Sequence, residues 1–102
     1  MVKDVVLLVD ICNRTVLSHA VTHKILIENK IAIGAEIHHA GQIKQIKATK
    51  EVLLCAGAIQ SPQILMLSGI GPEQELKKHG IDCLHSLSGV GQNFHDHPDF
   101  IF

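Results

Sequence analysis

Residues 57–71, GAIQSPQILMLSGIG, decide how this chain is read. The apolar run at residues 52–56 (VLLCA) precedes them, and small residues make the turn between. Ser61 and Pro62 predict a helix over residues 61–67, with Ser as its side-chain cap and Pro in a first turn that needs no N–H from it. Gly69 ends that helix, and Gly71 with Pro72 opens another. A strand therefore ends in glycine directly before a helix N-terminus. Open α/β sheets bind ligands at such an edge, where bare backbone and an oriented helix dipole suit phosphate. The same residues serve equally in an ordinary β–α connection, which needs small side chains for close packing and is the commoner case.

Working outward, Pro72, the acids Glu73 and Glu75, the bases Lys77 and Lys78, and then Gly80 punctuate a second helix over residues 72–79. Beyond residues 82–87 the chain becomes glycine-rich loop. On the other side, residues 5–11, 15–20 (TVLSHA) and 24–28 (KILIE) read as short strands. Asn29 and Lys30 make a tight turn. Ile31, Ile33, Ala35 and Ile37 then alternate with Ala32, Gly34, Glu36 and His38, the period of a half-buried strand. Ala40 and Gly41 reverse the chain into a more polar strand over residues 42–49, completing an antiparallel meander. Residues 52–56 lack polar alternation, which predicts a strand covered on both faces. The expected fold class is α/β, with the α+β character of a fragment: a β-meander leading into a buried strand and two helices. A buried strand needs parallel neighbours, and few candidates exist here, so the chain reads as part of something larger.

At 102 residues the sequence allows one domain at most. Apolar residues make up 46%, which places it among globular chains. Three Phe and no Trp or Tyr leave an aliphatic core. A net charge of −1 gives no reason to expect nucleic acid as a partner. Cys12, Cys55 and Cys83 are odd in number and widely spaced, against a disulfide framework and towards a reducing compartment. Residues 5–9 (VVLLV) are too short for a signal core and are flanked by Asp4 and Asp10. No segment approaches the ~20 apolar residues that span a bilayer. The expected location is intracellular, either cytoplasmic or peripheral to a membrane.

Other constellations carry less. Residues 89–98, GVGQNFHDHP, open like a GxGxxG phosphate loop, but Phe94 stands in place of the last glycine and no helix pattern follows. His95 and His97 flank Asp96, and His38 and His39 form another pair, which makes zinc a candidate. No third ligand falls at a suitable spacing, and no metal is expected. His19, His23, His79 and His85 read as surface or packing histidines. Acyl transfer lacks a nucleophile elbow, since there is no GxSxG.

Three blocks, NRTVLSHAVTHKILIENKIAIGAEI, EVLLCAGAIQSPQILMLSGIGP and GIDCLHSLSGVGQNFHDHP, resemble the glucose–methanol–choline (GMC) oxidoreductases, in particular their choline dehydrogenase-like members. The resemblance runs from about Asn13 to Pro98. Gly57, Ala58, Ser61, Pro62, Ile64, Leu65, Ser68, Gly69, Ile70 and Gly71 match the family's second signature. Asn93, Asp96 and His97 are nearly as distinctive.

The resemblance implies a flavoprotein with FAD in a Rossmann-like domain, oxidising a small alcohol by passing hydride to the flavin. It implies that the backbone at Val21 and Thr22 meets the adenine. Ala56 and Gly57, with Ser61 close behind, would lie against the ADP part of the cofactor. Asn93, Asp96 and His97 would run near the flavin and pyrophosphate. The family's GxGxxG fingerprint does not occur in this sequence. Its active-site histidine and that residue's partner belong to a C-terminal region not among these residues. The chain thus resembles the middle of such an enzyme, a single partial FAD-binding domain with no catalytic residue of its own. A second expectation, from a different class, is a non-catalytic remnant or assembly piece that binds another chain or the remainder of the enzyme. Its motive is the buried-type run at residues 52–56, an edge that invites pairing.

Overall fold

A computed structural model of the chain describes residues 15–100. Three strands, β1 (Val21–Glu28), β2 (Ile31–His39) and β3 (Gln42–Lys47), form an antiparallel sheet in the order β1-β2-β3. Both connections are two-residue turns with left-handed backbone. Asn29 and Lys30 hold φ of 50° and 65°, and Ala40 and Gly41 hold 51° and 78°. Such turns match the right-handed twist of the flanking strands, which is why so short a loop closes each hairpin. The meander is as expected.

One face of the sheet carries the core. Ile25 pairs with Ala35 and Ala35 with Ile46, forming a row across all three strands. Ile25, Ala35 and Ile37 are buried together with Ala20 and Ile64. Leu17, Ile27, Ile46, Val52, Leu54 and Ala56 pack around them. The opposite face is polar, with Glu36 and His38 between the buried positions.

Helix α1 (Gly57–Leu67) lays Ile64 on this core. It starts four residues before the expected boundary, so Ser61 is not its cap and Pro62 lies inside it. Ala56 occupies the N-cap position, and no side chain caps the helix. Pro62 has no N–H to donate to the carbonyl of Ala58, an interruption that one missing bond near the helix start allows. At the other end Gly69 adopts φ +82° and its N–H bonds the Met66 carbonyl at 2.9 Å.

Beyond it, β4 (Ile70–Gly71), α2 (Glu73–Lys78) and β5 (His85–Ser86) form a miniature crossover, with β4 and β5 parallel. Helix α2 closes as a Schellman motif: Gly80 N–H bonds Lys77 O at 3.1 Å and Ile81 N–H bonds Leu76 O at 3.0 Å. Leu76 is buried beneath it.

Two local expectations are corrected. Residues 15–20 are not a strand, because Ser18 and His19 form a turn with His19 at φ +56°. Residues 52–56 belong to neither sheet. They alternate, with Val52, Leu54 and Ala56 half-buried and Leu53 and Cys55 exposed, because one face packs on the core and no described strand covers the other. Residues 85–86, given no element in the sequence reading, are paired as β5. The expected strand at residues 5–11 lies outside the described residues.

Candidate functional site

The expected residues fall into three places. Val21 and Thr22 open β1, half-buried, opposite His38 and Ile37. A bulge follows at His23, where the register shifts between Thr22 and Lys24. The imidazole of His23 stacks on that of His38, with ring centroids 6.1 Å apart, and its Nδ1 lies 3.8 Å from Glu36.

Ala56 and Gly57 stand at the head of α1, and Ser61 sits one turn in. Ser61 Oγ accepts the N–H of Ala56 at 3.1 Å. That bond ties the extended segment to the helix, a different task from the cap expected of it. Helix α1 has no acidic residue in its first turn. Its first N–H groups lack intrahelical partners by geometry. Gly57 holds φ +85°, and a Cβ built there would meet nothing within 4 Å. Bare backbone, open space and the positive end of a helix dipole therefore coincide at Gly57. This arrangement fits a phosphate group.

The structure brings the first two places together. Ala20, immediately before Val21, and Ala56 share the core cluster. Asn93, Asp96 and His97 are exposed. Asn93 is left-handed at φ +54°, and Asp96 accepts the N–H of His97 at 2.8 Å, a local turn. The root of their loop is fixed: Val90 is buried, and Gly91 lies against the end of Met66.

An apolar cavity lies elsewhere. About 420 Å³ in volume, it is walled by Ile25, Ile27, Val52, Leu54, Leu65 and Leu84, and none of the expected residues lines it. Sequence reasoning gave Ser68 no role beyond its match to the family signature, whereas the structure makes it a buried hydroxyl joining β1 to α1. No local pattern signals it, because its partner Ile25 is far away in sequence.

The displaced titrations belong to α2. Hydrogen bonding to Lys77, then its charge, holds Glu73 below the ordinary 4.5. Lys78 does the same for Glu75, with a smaller contribution from His79. Among the described residues no group of three or more His, Cys, Asp or Glu is placed to hold a metal ion. No described helix is long and apolar enough to cross a membrane.

A three-stranded sheet packed on a helix, followed by a small parallel β-α-β crossover, defines an α/β unit. Residues 4–99 match the GMC oxidoreductase family, and the chain belongs to it. An oxygen-dependent choline dehydrogenase of Photobacterium profundum is 50% identical over 90 residues, 88% of this chain and 16% of that protein. Another, from Chromohalobacter salexigens, is 51% identical over 85 residues, 83% of this chain and 15% of its own length. Among solved structures, an FAD-dependent oxidoreductase from Chaetomium thermophilum superposes with a TM-score of 0.72 at 40% identity, covering 76% of this chain and 14% of that one. A formate oxidase of Aspergillus oryzae RIB40 gives 0.72 at 35% identity, covering 74% and 14%. The chain therefore spans about a sixth of the length of the choline dehydrogenases it matches.

Proposed function

We propose that this chain supplies part of the FAD site of a choline dehydrogenase-like GMC oxidoreductase, acting on the CH–OH group of a small alcohol. The observation that carries the reading is the head of α1: uncapped, free of acid, and opened by Gly57 onto empty space. In this reading residues 1–102 are a single partial FAD-binding domain. Ala56 and Gly57 lie against the ADP part, with the Ser61 hydroxyl holding Ala56 in place. The backbone of Val21 and Thr22 meets the adenine. Asn93, Asp96 and His97 approach the flavin and pyrophosphate.

The flavin, when bound, supplies the hydride acceptor. This chain's residues bind and orient it, and none of those assigned here removes the alcohol proton. A histidine in the complementary part of the enzyme is the natural base, since its pKa lies near working pH. The unpaired thiols of Cys55 and Cys83 support an intracellular, reducing compartment.

Flavin fluorescence on titrating FAD into the chain tests the reading: saturable quenching is expected, and its absence would overturn it. No dye-linked oxidation of choline is expected from the chain alone. Turnover without a second polypeptide would refute the division of labour.

A second reading, a non-catalytic piece that binds another chain, is favoured by the extended segment at residues 51–55. It lies outside both sheets with Leu53 exposed, beside the open cavity walled by Val52 and Leu54. Size exclusion separates the two, since a stable monomer counts against the assembly reading.

A further inference from the structure

We propose that Ser68 is a positioning residue for the cofactor, its hydroxyl setting the separation between the start of β1 and the head of α1. This rests on the FAD reading above. Ser68 is the one buried polar side chain among the described residues, 5% exposed. Its Oγ donates to the Ile64 carbonyl at 2.6 Å and accepts the Ile25 N–H at 2.7 Å. That N–H comes from β1, which among the described residues has β2 on one side and no strand on the other. Ser68 thus takes the place of a strand partner on the open edge, at the C-cap of α1.

The geometry is a pivot with two arms. Helix α1 runs back from Ser68 over 11 residues, roughly 16 Å at 1.5 Å per residue, to Gly57. Strand β1 runs back from Ile25 to Val21, about 13 Å at the rise of an extended chain. Both arms end in the same core cluster, at Ala56 and Ala20. Each arm is a hydrogen-bonded element, interrupted only by the bulge at His23 and the bond missing at Pro62, so a slip at the pivot is carried towards both ends. One end is assigned to the ADP part and the other to the adenine. A hydroxyl that both donates and accepts fixes the pivot in two directions, which an apolar side chain of equal size cannot do.

The test compares the unaltered chain with Ser68→Ala, Ser68→Thr and, as a control, Leu76→Val, a core substitution in α2 outside the cluster that both arms share. Each is titrated with FAD well below its own unfolding temperature, and amide exchange at Ile25 is followed alongside. Ser68→Ala is expected to expose the Ile25 amide and weaken FAD binding roughly tenfold, the order of one lost buried hydrogen bond. Ser68→Thr keeps the hydroxyl and restores affinity. Leu76→Val, though destabilised, stays within about twofold, as sites without shared partners act independently. Should Ser68→Ala fail to fold, Ser68→Cys, of similar shape but a weaker acceptor, must show the same selective loss. An exposed Ile25 amide with unchanged affinity overturns the positioning role, as does an equal loss in Leu76→Val. A protected Ile25 amide in an unaltered chain that binds no FAD overturns the cofactor reading itself, and the positioning role with it.

Discussion

Gly57 and Gly69 share a left-handed backbone, at φ of 85° and 82°, yet they stand in different surroundings. A Cβ at Gly57 would enter open space, whereas one at Gly69 would meet the Asp82 carbonyl oxygen at 2.6 Å and Leu84 Cγ at 2.9 Å. Both Gly→Ala changes carry the left-handed cost of an L-residue, about 1–2 kcal/mol. Gly69→Ala must also push back the backbone that leads into β5, adding roughly 1–3 kcal/mol of overpacking. Denaturant unfolding should therefore rank Gly69→Ala below Gly57→Ala, and equal losses would mean that the approach of residues 82–84 is not tight. For FAD the order reverses. The methyl of Gly57→Ala projects into the space assigned to the cofactor, so binding weakens in a chain that remains folded.

At the scale of elements, α2 stands on its own charges. Lys77 Nζ lies 2.7 Å from Glu73 and Lys78 Nζ 2.9 Å from Glu75. Both carboxyls titrate below 4.5, so their contribution is complete above that value and disappears as pH falls through the lower folded ones. All four side chains are well exposed, so global stability should barely move. The expected outcome is local: amides of α2 lose exchange protection between neutral pH and about pH 3, while those of β2 keep theirs. Protection in α2 that is unchanged across this range would assign its order to Leu76 and the Schellman closure alone. The same punctuation made α2 legible in the sequence, and Asn29–Lys30 and Ala40–Gly41 likewise announced both hairpins. Such signals are local. The status of residues 52–56 was not legible, because an extended segment becomes a strand only when a neighbour pairs with it. The head of α1 was misplaced for a related reason: Ser61–Pro62 is a strong opening in isolation, but Gly57 turns the chain into the helix earlier. Strands β4 and β5, two residues each, are too short to show a period. Of the candidate site, Ala56 and Gly57 could be found from the strand-turn-helix pattern, which marked Ser61 only as a helix cap. Asn93, Asp96 and His97 emerged only through the family resemblance, and Ser68 joins segments that no local pattern connects.

Over the whole molecule, apolar surface is distributed as in part of a larger body. Ile59 is 70% and Ile31 65% exposed, and the cavity of about 420 Å³ has walls drawn from β1, α1, β4 and the segment at residues 51–55. Strand β3, by contrast, carries Lys44 and Lys47 on an exposed edge, the usual protection against sheet-to-sheet pairing. The uncovered part is thus the aliphatic groove rather than the sheet edge. An amphipathic dye such as ANS should therefore bind the folded chain under native conditions with enhanced, blue-shifted fluorescence. Ala32 lines the groove from β2 and is itself exposed, so Ala32→Phe can fill part of the space with a residue suited to strands. That variant should bind less dye while its far-UV circular dichroism stays unchanged. Dye bound equally by both chains would instead implicate loosely packed structure elsewhere, and no enhancement at all would mean that the groove closes on itself in solution.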